Sequence, residues 1–411
     1  HAHVLAGGWS LKDCNLGDAR EASRILELLP GCLEEHAYGP DEWVVGARWG
    51  LAAFEGGNPR KEWLDAVFGD RPAYFVDSFG HSAWVSTRAL EIAGITDATP
   101  DPPQGVIERD PLTGEASGTL RDAAMDLVGR HLPEPTLQQT RESILRGQRE
   151  AARVGITAYI DPGLNEGQIA AYRALESEGL LTARVQGSVS PLGWDAGQAG
   201  EDLFELVDRL GRIEGPLFRT GSVKIYIDGV IETRTSYMLA PYDDGSNFPP
   251  FYERETLLSL YERLHSEGVQ IHTHAIGDAA IRLALDAYEQ ARDRIGPLDN
   301  RHHIVHLQLI DEADIRRFGE LGVAAGFQGL WAYPDEYITM AEPLVGADRV
   351  ERFYPVASVQ QSGGLLVGGS DWDVSSPNPL DAIETLVRRR DPFAGDGPAL
   401  GPQEAISLES A

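Results

Sequence analysis

A lysine inside an apolar run carries the first chemical signal. Lys224 stands in VKIYI, and the chain keeps only three lysines among its 35 basic residues. An ammonium buried there needs a partner or must give up its proton. A neutral amine can react with CO2 to give a carbamate, a two-oxygen anion able to bridge two cations. An ion pair with Asp228 or Asp371 is the other reading of the same residue. His274 in HTHAIGD and His306 in HHIVHLQ end apolar runs, and neutral imidazole is the commonest ligand of zinc-like ions. His1 and His3 are two residues apart, so in an extended segment both rings face one side and can share an ion. A chance surface pair has the same spacing. Asp371 follows LLVGGS, whose glycines let a carboxylate reach inward as ligand and proton acceptor. It could instead cap the next helix, a task open also to Asp373 and Ser375. His272 and His302 share the face of the candidate ligands by period two but lie deeper, where a core histidine bonded to backbone is the competing reading.

These residues act together only if the fold aligns them. From about residue 140 onward one pattern recurs: an amphipathic helix, a glycine, then a short β-branched or aromatic run ending in a polar residue. The glycines are Gly155 before ITAYID, Gly179 before LLTARVQG, Gly268 before VQIHTHAIGD, Gly322 before VAAGFQ and Gly364 before LLVGGSD. A glycine just past a helix tolerates the left-handed cap, and each following run has the length of a buried parallel strand. GSVKIYIDG (221–229) and RHHIVHLQ (301–308) bring the strands to seven. Seven strands alternating with helices predict an α/β fold, a (β/α)8 TIM barrel whose first strand lies ahead of residue 1. The open doubly wound alternative would usually show a Gly-rich phosphate loop, and the sequence has none. Barrels gather their active sites at the C-terminal ends of the strands. Asp161, Lys224, His274, His306 and Asp371 all fall there. The barrel is assigned to residues 1–20 and 136–411. Residues 21–135 break the rhythm, with apolar runs at 43–45 and 73–77, and read as an inserted lid or substrate-pocket subdomain.

The composition excludes several classes. A hydrophobic share of 42% and a charged share of 24% over 411 residues describe a folded globular chain. A net charge of −29 repels nucleic acid and anionic membrane surfaces. The longest apolar stretch, 322–333, is far short of the ~20 residues that span a bilayer. With no basic-then-apolar leader, the expected compartment is the cytoplasm. The expected partner is a small-molecule substrate, without nucleic acid or membrane, and a homodimer is the candidate assembly. Cys14 and Cys32 lie in no CxxC pair and near no histidine cluster, so both are expected as buried small hydrophobes.

HAH at the start, GHSAW (80–84), GVIERD with GEASGTL, VKIYIDGVIETRT, HAIGD, VHLQ and GSDW together resemble the amidohydrolase superfamily, in particular its amidohydrolase-3 branch. The likeness runs over almost the whole chain. It implies a TIM barrel of the metal-dependent hydrolase type, with the insertion after the first strand and an accompanying β-sandwich largely missing from this chain. It implies metal ligands His1, His3, Lys224 as a carbamate, His274, His306 and Asp371, holding one or two divalent ions, zinc or similar. The implied reaction is hydrolysis of a C–N bond in an amide, formamide or N-acyl amine by metal-activated hydroxide, with Asp371 carrying the proton to the leaving amine. His81 in GHSAW is then a candidate substrate contact, against a structural histidine in the lid. Trp84, Trp331 and Trp49 are candidate walls of an apolar pocket, against core packing for each. Relatives carry a strand and an aspartate ahead of the paired histidines, so the chain reads as a piece of a longer protein. Many also have Glu where Val305 precedes His306. Two further readings stay open. A mononuclear deaminase or cyclic-amide hydrolase would leave Lys224 unmodified, although HAIGD places Gly277 where a deaminase has Glu. A catalytically inactive ligand-binding barrel is the alternative of another class.

Overall fold

The computed structural model describes residues 1–12, 14–17, 19–35, 39, 42–190, 205, 207–208 and 212–411. Two compact units divide it: Leu5–Gly147, and a second made of His1–Val4 with most of the chain from Gln148 onward.

The Leu5–Gly147 unit is built on a six-stranded mixed sheet. Its strands are β1 (Cys14–Asn15), β2 (Val44–Trp49), β3 (Ala73–Asp77), β4 (Ser82–Val85), β5 (Gly105–Arg109) and β6 (Ala116–Asp122), in the order β1-β2-β3-β4-β6-β5. The first three are parallel, and β3/β4, β4/β6 and β5/β6 are antiparallel. Alternation along these strands splits their side chains between two packed faces. Tyr74, Ala83, Val85, Leu120 and Ile107 pack against the Thr87–Ile92 and Met125–Gly129 helices. Trp84 projects among Trp49, Phe54, Trp63 and Phe75. Two isolated apolar runs were expected here; the structure adds β4 and the β5–β6 hairpin, whose polar, Gly-containing strands carry little periodic signal.

Cys14 and Cys32 correct the expectation of two separate thiols. Both are buried, as expected, and they form a disulfide across a sequence separation of 18, with their Cα atoms 5.2 Å apart. Spacing alone cannot show such a pair.

The other unit holds seven parallel strands in strict sequence order: β7 (Ala158–Leu164), β8 (Arg184–Val189), β9 (Phe218–Tyr226), β10 (Gln270–Ala275), β11 (His303–His306), β12 (Ala324–Phe327) and β13 (Leu366–Gly368). Each strand pairs with the next, the pattern of an α/β sheet curling toward a barrel. Helices including Glu166–Ser177, Arg254–Ser266 and Asp278–Ile295 form the connections. Gly155, Gly179, Gly268 and Gly322 adopt positive φ as the sequence predicts, whereas before β13 it is Gly363 rather than Gly364 that does so. Gly364 instead faces Val359, whose Cγ1 would lie 2.7 Å from an added Cβ.

The chain's first residues bridge the two edge strands of this sheet. Ala2 N donates to Ile160 O of β7 at 3.0 Å, Asp371 N donates to His1 O at 3.1 Å, and His3 N donates to Trp372 O at 2.5 Å. Residues 1–3 thus close the gap between β7 and the exit of β13. Among the described residues no helix is long and apolar enough to cross a membrane.

Candidate metal centre

Asp371 is the point on which the predicted ligands converge. Its Oδ1 lies 2.6 Å from His1 Nε2 and 3.2 Å from His3 Nε2, and its Oδ2 is 3.7 Å from His306 Nδ1. Potential ligand atoms of His1, His306 and Asp371 all lie within 4.8 Å of one another. The carboxylate is buried, which by itself would raise its pKa. The hydrogen bond from His3 and the charges of His306, His3 and Lys224 outweigh that and hold it well below the usual carboxylate range.

Backbone geometry aims these groups. His306 has φ 82° and Asp371 φ 52°, both in the left-handed region that non-glycine residues rarely enter. Such strain persists only where the surroundings over-determine it, and it concentrates at functional sites. At His306 the turn also changes the phase of β11. Period-two counting back from His306 put His302 on the inner face; the structure puts His303 there instead. His303 pairs in register with His272, their ring centroids 4.2 Å apart. His302 faces outward, its Nε2 2.9 Å from His265 Nδ1 and its ring stacked on Tyr288.

Lys224 lies on β9 in register with His272. It is 1% exposed, and its Nζ has no hydrogen-bond partner among the described residues. Burial pushes its pKa down to about 7, with Asp371 opposing. The ammonium sits 4.8 Å over the Tyr226 ring. The expected alternative partner, Asp228, is engaged elsewhere: its oxygens accept from the backbone N–H groups of Ile276, Gly277 and Tyr237 at 3.0, 2.9 and 3.1 Å. This cradle explains why the IDG and HAIGD motifs occur together. It also requires glycine at 277, where an added Cβ would lie 2.2 Å from Tyr237 O.

His274 stands beside this group rather than in it. Its Nε2 is 3.2 Å from Gly229 O, while its ring centroid is 4.5 Å from that of His306. Trp331 stacks on the His306 ring at 5.5 Å and 8°. Asp161, on β7, accepts a hydrogen bond from the Tyr172 hydroxyl. His81 and Trp84 belong to the Leu5–Gly147 unit. His81 Nδ1 lies 2.7 Å from Asp122 Oδ1, and Trp84 is fully buried, its indole N–H donating to Arg60 O at 2.9 Å.

Three supporting residues escaped the sequence reading. His272, read only as a deep histidine, places Nε2 2.7 Å from His1 Nδ1, and burial holds its pKa well down. His303 was hidden by the phase change. Gln328 Oε1 lies 2.9 Å from His306 Nδ1, and the only signal for it was a polar residue ending VAAGFQ.

Known proteins share this arrangement's framework. A family model described as "Amidohydrolase family" matches residues 1–411. The chain is 28% identical to Protein LONG AFTER FAR-RED 3 of Arabidopsis thaliana, covering all of this chain and 70% of that protein. It is 27% identical to Putative amidohydrolase YtcJ of Bacillus subtilis, covering 76% of it, and 26% identical to N-substituted formamide deformylase of Arthrobacter pascens, covering 75%. An uncharacterized metal-dependent hydrolase from Pyrococcus horikoshii has the same fold, with a TM-score of 0.73 at 22% identity over the whole chain and 77% of that structure. A counterpart from Pyrococcus furiosus gives 0.69 at 23%, over the whole chain and 78% of that structure. A match to one family model from the first residue to the last, on a seven-stranded parallel sheet with histidines and an aspartate gathered at its strand ends, makes the chain a member of the amidohydrolase family.

Proposed function

We propose that the protein is a divalent-metal-dependent hydrolase acting on a C–N bond of a small amide, formamide or N-acyl amine. The observation that carries this reading is the convergence of His1, His306 and Asp371, together with the buried amine of Lys224, which has no hydrogen-bond partner among the described residues. Imidazoles with a carboxylate suit zinc, and an amine that loses its proton near neutrality is suited to carbamate formation. His1, His3, Lys224, His306 and Asp371 would hold the cation, with His274 joining them once its ring leaves Gly229 O. A cation bound there supplies acidification of water and polarisation of a carbonyl oxygen. Asp371, kept ionised by its histidine neighbours, takes a proton from water and passes it to the departing amine. Trp331 shields one face of His306 from solvent. The name of the Arthrobacter relative favours formamides for the first substrate panel.

A one-ion site is the second reading. It is favoured by His274, whose Nε2 faces Gly229 O rather than Asp371. Metal content per chain, measured on zinc-grown protein and on Lys224→Met, separates the two. About two ions, falling in the variant, supports the carbamate-bridged pair. About one ion, unchanged by the variant, supports the one-ion hydrolase or deaminase, and protein that takes up no metal and cleaves no amide overturns the proposal.

A further inference from the structure

Gln328 engages one ring nitrogen of His306 and leaves its own amide nitrogen unused. It directly follows β12, is 1% exposed, and its Oε1 lies 2.9 Å from His306 Nδ1. Its Nε2 is buried and has no hydrogen-bond partner among the described residues. The direction of the bond follows from the task of the ring. A histidine that offers Nε2 to a cation keeps its proton on Nδ1, so Nδ1 donates and the amide oxygen must accept. Flipping the amide would make Gln328 the donor, put the imidazole proton on Nε2 and remove that lone pair. The NH2 group is therefore turned away from His306.

An unpaired NH2 at this depth is a desolvation cost that a methionine of similar length would avoid. The group shares a carbon with the oxygen that grips His306, and the same His306 Nδ1 is 3.7 Å from Asp371 Oδ2. The donor thus sits at the edge of the centre. The geometry points to Gln328 as a positioning residue that sets the His306 tautomer, and whose free NH2 donates to the substrate oxygen that gains negative charge during attack. The second role rests on the hydrolase reading; the first rests only on its assignment of His306 as a cation ligand, beside the 2.9 Å contact itself.

Two variants separate the roles. Gln328→Glu keeps an accepting oxygen and removes the donor. Gln328→Met removes both, and circular dichroism checks that each retains the fold. In metal-free protein, 15N spectra of labelled histidine should show His306 protonated at Nδ1 in the parent and in Gln328→Glu, and a mixed population in Gln328→Met. Zinc titration should show affinity lowered about 10–100-fold in Gln328→Met. With an N-alkyl formamide as probe, Gln328→Glu should lose roughly 10²–10³ in kcat with little change in KM. A methionine variant with the parent's tautomer and zinc affinity overturns the positioning role. A glutamate variant with the parent's kcat overturns the donor role. If the parent itself binds no zinc, the hydrolase reading fails and the donor role with it, while the tautomer spectra still decide the link to His306.

Discussion

Asp371 and His1 are joined twice. The Asp371 backbone N–H donates to His1 O at 3.1 Å, and the His1 ring reaches back to Asp371 Oδ1 at 2.6 Å. The same pair therefore helps to close the sheet and to assemble the candidate centre. Asp371→Asn separates the two tasks, because the backbone bond survives while the charge is lost. The variant should keep its fold by circular dichroism, lose most of its metal and lose roughly 10²–10⁴ in activity. A metal-loaded, active Asp371→Asn protein would refute the assigned role.

Gly369 lies where this closure leaves least room. An added Cβ would stand 3.0 Å from His1 Cβ and 3.1 Å from His1 O. Gly369→Ala should push His1 off Asp371 and destabilise the protein by about 1–3 kcal/mol, as overpacking does. Chemical denaturation and metal content measured together test this, and an unchanged metal content would show that His1 does not depend on the close approach.

Asp77, in the Leu5–Gly147 unit, should make stability depend on pH. Burial raises its pKa to about 6, with the Ser82 backbone N–H, His81 and Arg121 opposing. The unfolded chain has a value of about 3.9, so between about pH 4 and pH 6 the folded state holds a proton that the unfolded state has released. Stability contributed at this position therefore falls as pH rises through that window. Asp77→Asn removes the dependence, and its stability relative to the parent should rise from about pH 4 to about pH 8 by at most about 3 kcal/mol. Parallel denaturation curves at the two pH values provide the check; a constant difference would sink the assignment.

The Cys14–Cys32 bond closes a loop in the same unit. For a loop of this length, reduction or Cys14→Ser should lower stability by about 3 kcal/mol. Thiol titration of the denatured protein without reductant should find no free thiols, and two would refute the bond.

Much of this was readable from the chain because the signals were local. Gly155, Gly179, Gly268 and Gly322 mark helix ends by their own conformational freedom, and the apolar runs behind them are the buried strands. The polar residues ending those runs could be placed at one end of the sheet for the same reason. What stayed hidden depends on contacts distant in sequence or on a single torsion. His303 could not be preferred over His302 without knowing that the chain turns left-handed at His306. Asp228 was considered for Lys224, yet three backbone N–H groups brought in by two loops claim it. The disulfide needed β1 and the Gly31–Glu35 helix to be adjacent, which no spacing of two cysteines reveals.

The strict order of β7 to β13 has a consequence for biosynthesis. Each strand docks on the one made just before it, so the sheet can grow as the polypeptide emerges. His1 and Asp371, however, are 370 residues apart. At about 5–20 residues per second, the ribosome delivers the second of them roughly 20–75 s after the first. Ala2 can pair with β7 early, but His1 meets its carboxylate partner only after the last strand of the sheet has been made. The centre is then completed only after the whole sheet has been made, and a nascent chain stalled before Asp371 would hold a largely formed sheet without the carboxylate on which the candidate ligands converge.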